Sequence, residues 1–430
     1  MNRNTVLGTL GVVVLLILMA IVSQQEAISN DSIKPNKKSP QLPAEQIVAE
    51  TAKKASTQMS QLANVSNHFG FDLFDRLQQQ QPAENIVISP NSIAIALAMA
   101  KNGTGGETET EMTRVLKLEQ LEPTTVNTSY QKLIETLENA DPNVELAIAN
   151  SLWVNQNISL KNKFVNDARE FYEAKVTNLD FASFIARSKI NNWVAKSTAE
   201  KIPTIVDSTS VEDALYLINA VYFQGMWTNK FDAKETREQP FYNPPNSPQT
   251  LAMMNQTGEY RYHENDLFQA VRLPYGKKEE LGMYIFLPKG TASLADLNQQ
   301  LNFNTWQEWL SQMRSQQGNI TIPRFKLEYE ADLVKSLSQL GMKQIFNPSQ
   351  ANFSAMTDAS VAVDTVKHKT FIEVNEEGTE AAAVTSIGIR ITSATPQTTP
   401  FNINVNRPFF FAIRDDITET ILFMGNIIEP

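Results

Sequence analysis

Two spacings organise the apolar positions of this 430-residue chain. Where they recur every three or four residues, a helix with one buried stripe is expected; where they alternate, a strand with one buried face. Phe69, Phe71, Leu73, Phe74 and Leu77 predict a helix from Asn67, closed by Gln78 to Gln81 and Pro82. Asn85, Ile86, Val87 and Ile88 read as a short strand feeding a buried helix, with Ser89 or Ser92 placed to cap it. Residues 143–155 and 212–227 read as strands. The second is so continuously apolar from Leu215 to Phe223 that a central strand is expected. Residues 164–172, 190–198 and 331–340 read as helices, and strand-like runs fill residues 241–287 and 320–328. The stretch Asn102-Gly103-Thr104-Gly105-Gly106 lacks the Gly-Lys-Thr/Ser ending of a phosphate loop and reads as a turn. With no internal repeat and no inter-domain linker after residue 60, a single α+β domain is predicted.

One stretch joins two grammars. From Thr379 onward the odd positions carry Thr379, Ala381, Ala383, Thr385, Ile387, Ile389 and Ile391, and the even ones Glu380, Ala382, Val384, Ser386, Gly388 and Arg390. A period of two with one apolar side belongs to a half-buried strand. Yet residues 392–400 consist of Thr, Ser, Ala, Gln and Pro, the composition of an exposed loop. An ordinary hairpin arm would alternate in the same way. The preceding run, Glu376-Glu377-Gly378-Thr379-Glu380-Ala381-Ala382-Ala383, is less ordinary. Alanine is a poor strand former on its own, but small side chains let a strand enter a closely packed sheet at little rotamer cost.

Charge and composition narrow the chemistry. Lys and Arg number 37 against 47 Asp and Glu, a net charge of −10, so no nucleic-acid partner is expected. No cysteine is present, which removes disulfides, thiol catalysis and thiolate metal sites. Of the histidines, His68 reads as a helix-surface residue, His263 as a loop residue and His368 as a core residue. None lies in His-Glu-x-x-His, and no Gly-x-Ser-x-Gly elbow occurs. Neither enzyme activity nor a metal or cofactor is expected. At the start, Arg3 precedes an uncharged apolar run over residues 5–23, long for a signal-peptide core and near the minimum for a spanning helix. No clean cleavage site follows. Residues 1–23 are therefore read as a signal peptide or, slightly favoured, a membrane anchor, with the bulk of the protein exported. Residues 24–60 read as a polar linker, and residues 61–430 as the folded domain.

Two further runs give the octet at 376–383 its context: Ile403-Asn404-Val405-Asn406-Arg407-Pro408-Phe409-Phe410-Phe411-Ala412-Ile413, and the ending Phe423-Met424-Gly425-Asn426-Ile427-Ile428-Glu429-Pro430. Together they resemble the serpins, and the octet resembles the version found in inhibitory members. The resemblance covers roughly residues 67–430, with residues 181–190 slightly short for the family and residues 378–408 slightly long. It implies a serpin fold of three β-sheets and about eight or nine helices, with an exposed reactive-centre loop, in a monomer. It implies a suicide-substrate inhibitor of serine proteases, extending to papain-like cysteine proteases, in which residues 379–391 insert into the central sheet after cleavage.

The same resemblance assigns residues. It implies a hinge of Glu376, Gly378, Thr379, Glu380, Ala381, Ala382 and Ala383. It implies a shutter cluster of Ser89, Ser92, Asn219 and His368, and a breach formed by Arg324 and Glu376 beside Trp227. Family spacing from Gly378 puts the reactive bond at Thr392–Ser393, suited to elastase- or subtilisin-like targets. Arg390–Ile391 is the alternative, because a trypsin-like pocket takes a cation. No polyanion cofactor is implied, since Glu107, Glu109 and Glu111 make the nearby stretch acidic. Two competing readings are a non-inhibitory serpin (a carrier or folding helper) and an anchored adhesion module. The proline-free hinge argues against the first, and the second leaves that hinge unexplained.

Overall fold

A computed structural model of the chain describes residues 44–243, 246–379 and 399–430, with side chains from residue 56 onward. Packing separates residues 1–53 from residues 54–430, and the description below concerns the second body. The element order is α1 (Ala44–Gln80), β1 (Ile86–Ile88), α2 (Pro90–Lys101), α3 (Gly106–Val115), α4 (Pro123–Glu138), β2 (Val144–Asn155), α5 (Asn162–Tyr172), β3 (Lys175–Leu179), α6 (Ile185–Ser197) and β4 (Leu215–Met226). Then follow β5 (Arg237–Phe241), β6 (Gln249–Glu264), β7 (Phe268–Tyr275), β8 (Leu281–Pro288), α7 (Leu294–Gln300), α8 (Phe303–Gln312), β9 (Arg314–Pro323), β10 (Phe325–Asp332) and α9 (Val334–Leu340). The last strands are β11 (Thr365–Asn375), β12 (Gly378–Thr379), β13 (Phe401–Asn404), β14 (Phe409–Asp415) and β15 (Ile421–Ile427).

Six strands form one sheet in the order β10-β11-β12-β4-β2-β3. Nine form the other, β1-β15-β14-β8-β7-β6-β9-β13 with β5 on β6. In that second sheet the 16-residue strand β6 serves two lobes. It pairs with β7 at residues 261–264, with β9 along residues 253–262, and with β5 at residues 249–253. One continuous hydrogen-bonded network thus holds two lobes, and counting lobes gives the three sheets of the resemblance.

The main core lies on one face of the six-stranded sheet and takes in α2, every residue of which is buried. A second core covers the opposite face, where Ala186, Ile190 and Val194 of α6 pack on Trp153, Tyr216, Ile218, Ala220, Tyr222 and Phe371. This double covering is why Leu215 to Phe223 is apolar without alternation.

Several local readings are corrected. Helix α1 begins at Ala44, inside the stretch read as linker, because its Ala, Glu, Gln and Lys are strong helix formers and polarity alone does not separate an exposed helix from a coil. The apolar run at 320–328 breaks at Arg324 into two strands of different sheets. The helix read at 331–340 starts only at Val334, because the alternation of β10 persists to Asp332. His263 lies on β6 against Phe268, not in a loop, and His68 stacks on Phe303 with ring centroids 5.4 Å apart. No helix among the described residues is long and apolar enough to cross a membrane. The apolar run at 5–23 lies outside them.

Candidate functional site

Strand β11 is the pivot of the six-stranded sheet. Along one edge it runs antiparallel to β10, from Phe325 opposite Val374 to Asp332 opposite Lys367. Along the other it runs parallel to β4, from Thr365 opposite Tyr216 to Phe371 opposite Tyr222. Beyond Phe371 the β4 edge parts, and β12 lies in the gap. Gly378 pairs with Asn375 and Met226, and Thr379 with Val374 and Gly225, antiparallel to both neighbours. The chain after β11 therefore turns back and enters the sheet beside its own strand. Gly378 makes that entry at φ +153°, and a Cβ there would stand 2.0 Å from the Gly225 carbonyl oxygen. Only glycine fits. Thr379 is fully buried, its hydroxyl 2.6 Å from that of Tyr275.

The turn between β11 and β12 is held from several sides. The Trp227 indole N–H donates to the Asn375 carbonyl and its backbone N–H to the Glu377 carbonyl, each at 2.9 Å. Its ring stacks on Tyr275 at 4.4 Å between centroids. Phe231 N–H donates to the Glu376 carbonyl at 3.0 Å, and Lys230 forms an ion pair with Glu377. The Glu376 carboxylate accepts two bonds from Arg324, at 2.8 and 2.6 Å, and one from the Thr236 hydroxyl at 2.6 Å. Burial pushes the Glu376 carboxyl up, but these donors outweigh it and hold it below the usual carboxylate range. Arg324 occupies the one-residue break between β9 and β10. Its guanidinium therefore ties the turn to the junction of the two sheets.

Midway along the closed part of the seam lies a buried polar cluster. The backbone N–H of Ser89 donates to His368 Nε2 at 3.1 Å, which leaves the proton on Nδ1, facing Asn219 Oδ1 at 2.7 Å. The amide nitrogen of Asn219 reaches the Ser92 hydroxyl and, at 2.6 Å, Asn150 Oδ1. Burial of the whole imidazole lowers its pKa to about 3, so the ring is neutral. Ser89 occupies the N-cap position of α2 but makes no side-chain cap bond. Its backbone N–H and the Ser92 hydroxyl are directed across to the seam instead. The Thr370 hydroxyl adds a bond to the Val87 carbonyl at 2.7 Å.

Residues 64–430 match the family model described as Serpin (serine protease inhibitor). The chain belongs to the serpin family. It is 35% identical to an uncharacterised serpin-like protein of Thermococcus kodakarensis over 86% of each chain. It is 34% identical to the leukocyte elastase inhibitor of Equus caballus over 86% of this chain and all of that one. Among solved structures it resembles human thyroxine-binding globulin complexed with thyroxine, with a TM-score of 0.80 at 25% identity, covering 87% of this chain and 99% of the other. The architecture is accordingly the serpin fold.

Of the site residues read from the sequence, the structure brings Ser89, Ser92, Asn219 and His368 into one buried cluster, and Trp227, Arg324, Glu376, Gly378 and Thr379 around one turn. Glu380, Ala381, Ala382, Ala383, Arg390, Ile391, Thr392 and Ser393 lie outside the described residues. Sequence reasoning missed Thr236, Tyr275, Lys230 and Asn150, which complete these two groups. No group of three or more potential metal ligands occurs among the described residues.

Proposed function

We propose that this serpin is a suicide-substrate inhibitor of serine proteases, its reactive loop entering the six-stranded sheet between β4 and β11 once the protease has cut it. The observation that carries this reading is β12, two residues of the hinge already paired on both sides within that seam. The register extends by simple counting. One step per residue beyond Thr379 sets Thr385 level with Asn219 and His368, and Ile387 level with Leu217 and Val366. Thr379 faces the main core through Tyr275, so by period two the odd residues Thr385 and Ile387 would face that core as well. Thr385 would then bring a hydroxyl to the polar cluster. The even residues Ala382, Ser386 and Gly388 would face α6, where large side chains such as Tyr216 and Tyr222 already crowd the surface.

The energetics follow. Each backbone hydrogen bond gained by insertion nets about 1 kcal/mol, while ordering the chain costs about 1–2 kcal/mol per residue. These terms roughly cancel, so burial of Ile387, Ile389 and Ile391 supplies the surplus. Insertion then carries the acylated protease along and distorts its active site, and the intact fold is kinetically trapped. The reactive bond in this reading is Thr392–Ser393, with an elastase- or subtilisin-like target and an exported location.

One observation favours a second reading, a carrier of a small amphipathic molecule. A cavity of about 1000 Å³ is lined by Gln78, Leu294, Asn298, Arg407, Asn426 and Ile428, and the side-chain oxygens of Asn298 and Asn426 are buried without a partner. A thermal-shift screen against small amphipathic acids tests it, and a screen with no stabilising compound removes it.

The inhibitor reading is tested by incubating the protein with a panel of serine proteases. A complex that survives SDS is expected, with a released C-terminal fragment beginning at Ser393. A fragment beginning at Ile391, from a complex of near one-to-one stoichiometry, would move the reactive bond to Arg390. Turnover of the protein by every protease in the panel, with no stable complex, would overturn inhibition itself.

A further inference from the structure

We infer that Asp364 is a latch across the lower end of the β4–β11 seam, which must release before loop insertion can finish. The inference rests on the insertion reading above. Asp364 immediately precedes β11, and its Oδ2 accepts the backbone N–H groups of Ala214 at 2.7 Å and Leu215 at 3.0 Å. Its own N–H donates to the Leu215 carbonyl at 3.2 Å. A carboxylate here binds the N–H groups of the first residue of β4 and of the residue before it as an N-terminal clamp, with charge-assisted bonds stronger than neutral ones. It therefore adds a side-chain tie to the seam where the backbone ladder ends. Another such tie among the described residues is the His368–Asn219 contact in the middle.

The register says when each tie breaks. Thr379 stands opposite Gly225 and Val374, so the inserting strand reaches His368 and Asn219 with Thr385, and Asp364 and Leu215 with Ile389. Neighbouring strands lie about 4.8 Å apart, and a strand between them doubles that separation, beyond the reach of the Asp364 carboxylate. Insertion up to Ile387 leaves the latch closed, and the last step requires it open. The latch thus holds the intact and partly inserted forms and makes no contribution to the fully inserted one. That asymmetry separates it from an ordinary stabilising contact, which would act in both.

The test compares full-length wild type with Asp364→Ala, intact and nicked in the loop by a non-target protease. Intact Asp364→Ala should melt below intact wild type, while the two nicked forms melt together. On warming, uncleaved Asp364→Ala should convert to the inserted, inactive form roughly thirtyfold faster, the size expected for losing two hydrogen bonds. Asp364→Asn keeps a neutral acceptor and should fall between. Equal lowering of melting temperature in both forms would make Asp364 a plain structural cap and overturn the latch. So would an intact variant that melts and converts like wild type. If nicking fails to raise the melting temperature of wild type at all, the insertion reading itself fails and the latch falls with it.

Discussion

The two edges of β11 are built on opposite plans. Toward β10 the ladder is antiparallel and runs the length of that strand. Its outer face carries alternating charges, with Lys326 near Glu373, Lys367 near Glu330, and Lys369 between Glu328 and Glu330 at 3.3–3.8 Å. Toward β4 the ladder is parallel and stops at Phe371. There the side-chain ties are the His368–Asn219 contact and the Asp364 clamp, and the upper end already holds a wedge. Parallel pairing is slightly weaker per residue than antiparallel. In the insertion proposed above, the line of fracture would be this seam, with β11 staying on β10 and leaving β4. The lesson is that where the sheet can accept a strand is set as much by what binds β11 on its far side as by the seam itself.

The largest effect that would break this contrast is at the inserting strand. Ala381→Pro places a residue without an N–H donor, and with φ fixed near −65°, two residues past Thr379 in a strand that needs both ladders. The variant should be cleaved at an undiminished rate while SDS-stable complex is lost almost entirely. Unchanged complex yield on gels would show that the loop does not enter this seam.

Next comes the turn above the wedge. Arg324→Ala leaves the buried Glu376 carboxylate without its two guanidinium donors, and should lower the unfolding free energy by about 2 kcal/mol in denaturant titration. Adding Glu376→Gln should restore part of it. No loss in the single variant would show that Trp227, Phe231 and Lys230 hold the turn without help from Arg324.

The seam itself should respond to acid through His368. Its folded pKa lies near 3, below the ordinary 6.5. The unfolded chain therefore binds the proton that the folded one excludes. Stability from this group is complete above pH 6.5 and is lost as pH falls toward 3. Between pH 6.5 and 5 the loss should be about 1.5 kcal/mol. His368→Gln should show a correspondingly shallower pH dependence of unfolding, and parallel profiles would contradict the account.

The smallest effect belongs to the far edge. Lys369→Ala removes a largely buried ammonium from its ion pairs with the more exposed Glu328 and Glu330, on the side of β11 that does not part, and should leave the stoichiometry of inhibition unchanged. A large change there would erase the distinction between the edges.

What could be read in advance follows from the range of each interaction. The strand Leu215 to Phe223 and the alternation from Thr379 are local patterns, visible without any partner. Arg324 with Glu376, and His368 with Asn219, are 52 and 149 residues apart and became legible only through family resemblance. Tyr275 under Thr379 and Thr236 on Glu376 had neither route, being contacts across 104 and 140 residues between unremarkable residue types. Ser89 shows the converse error. Local rules made it a helix cap, and the fold sends its N–H to His368 instead.

The central claim is that β4 and β11 part to admit a strand, and their separation can be measured directly. The chain has no cysteine, so Ala147→Cys with Glu328→Cys gives a unique pair for spin labels. Ala147 stands opposite Tyr222, Tyr222 opposite Phe371, and Phe371 opposite Glu328. The labels therefore span the seam along one level of the sheet. After the loop is nicked, the mean distance should grow by one strand spacing, about 5 Å. An unchanged distance in protein that is fully cleaved would contradict insertion between these strands.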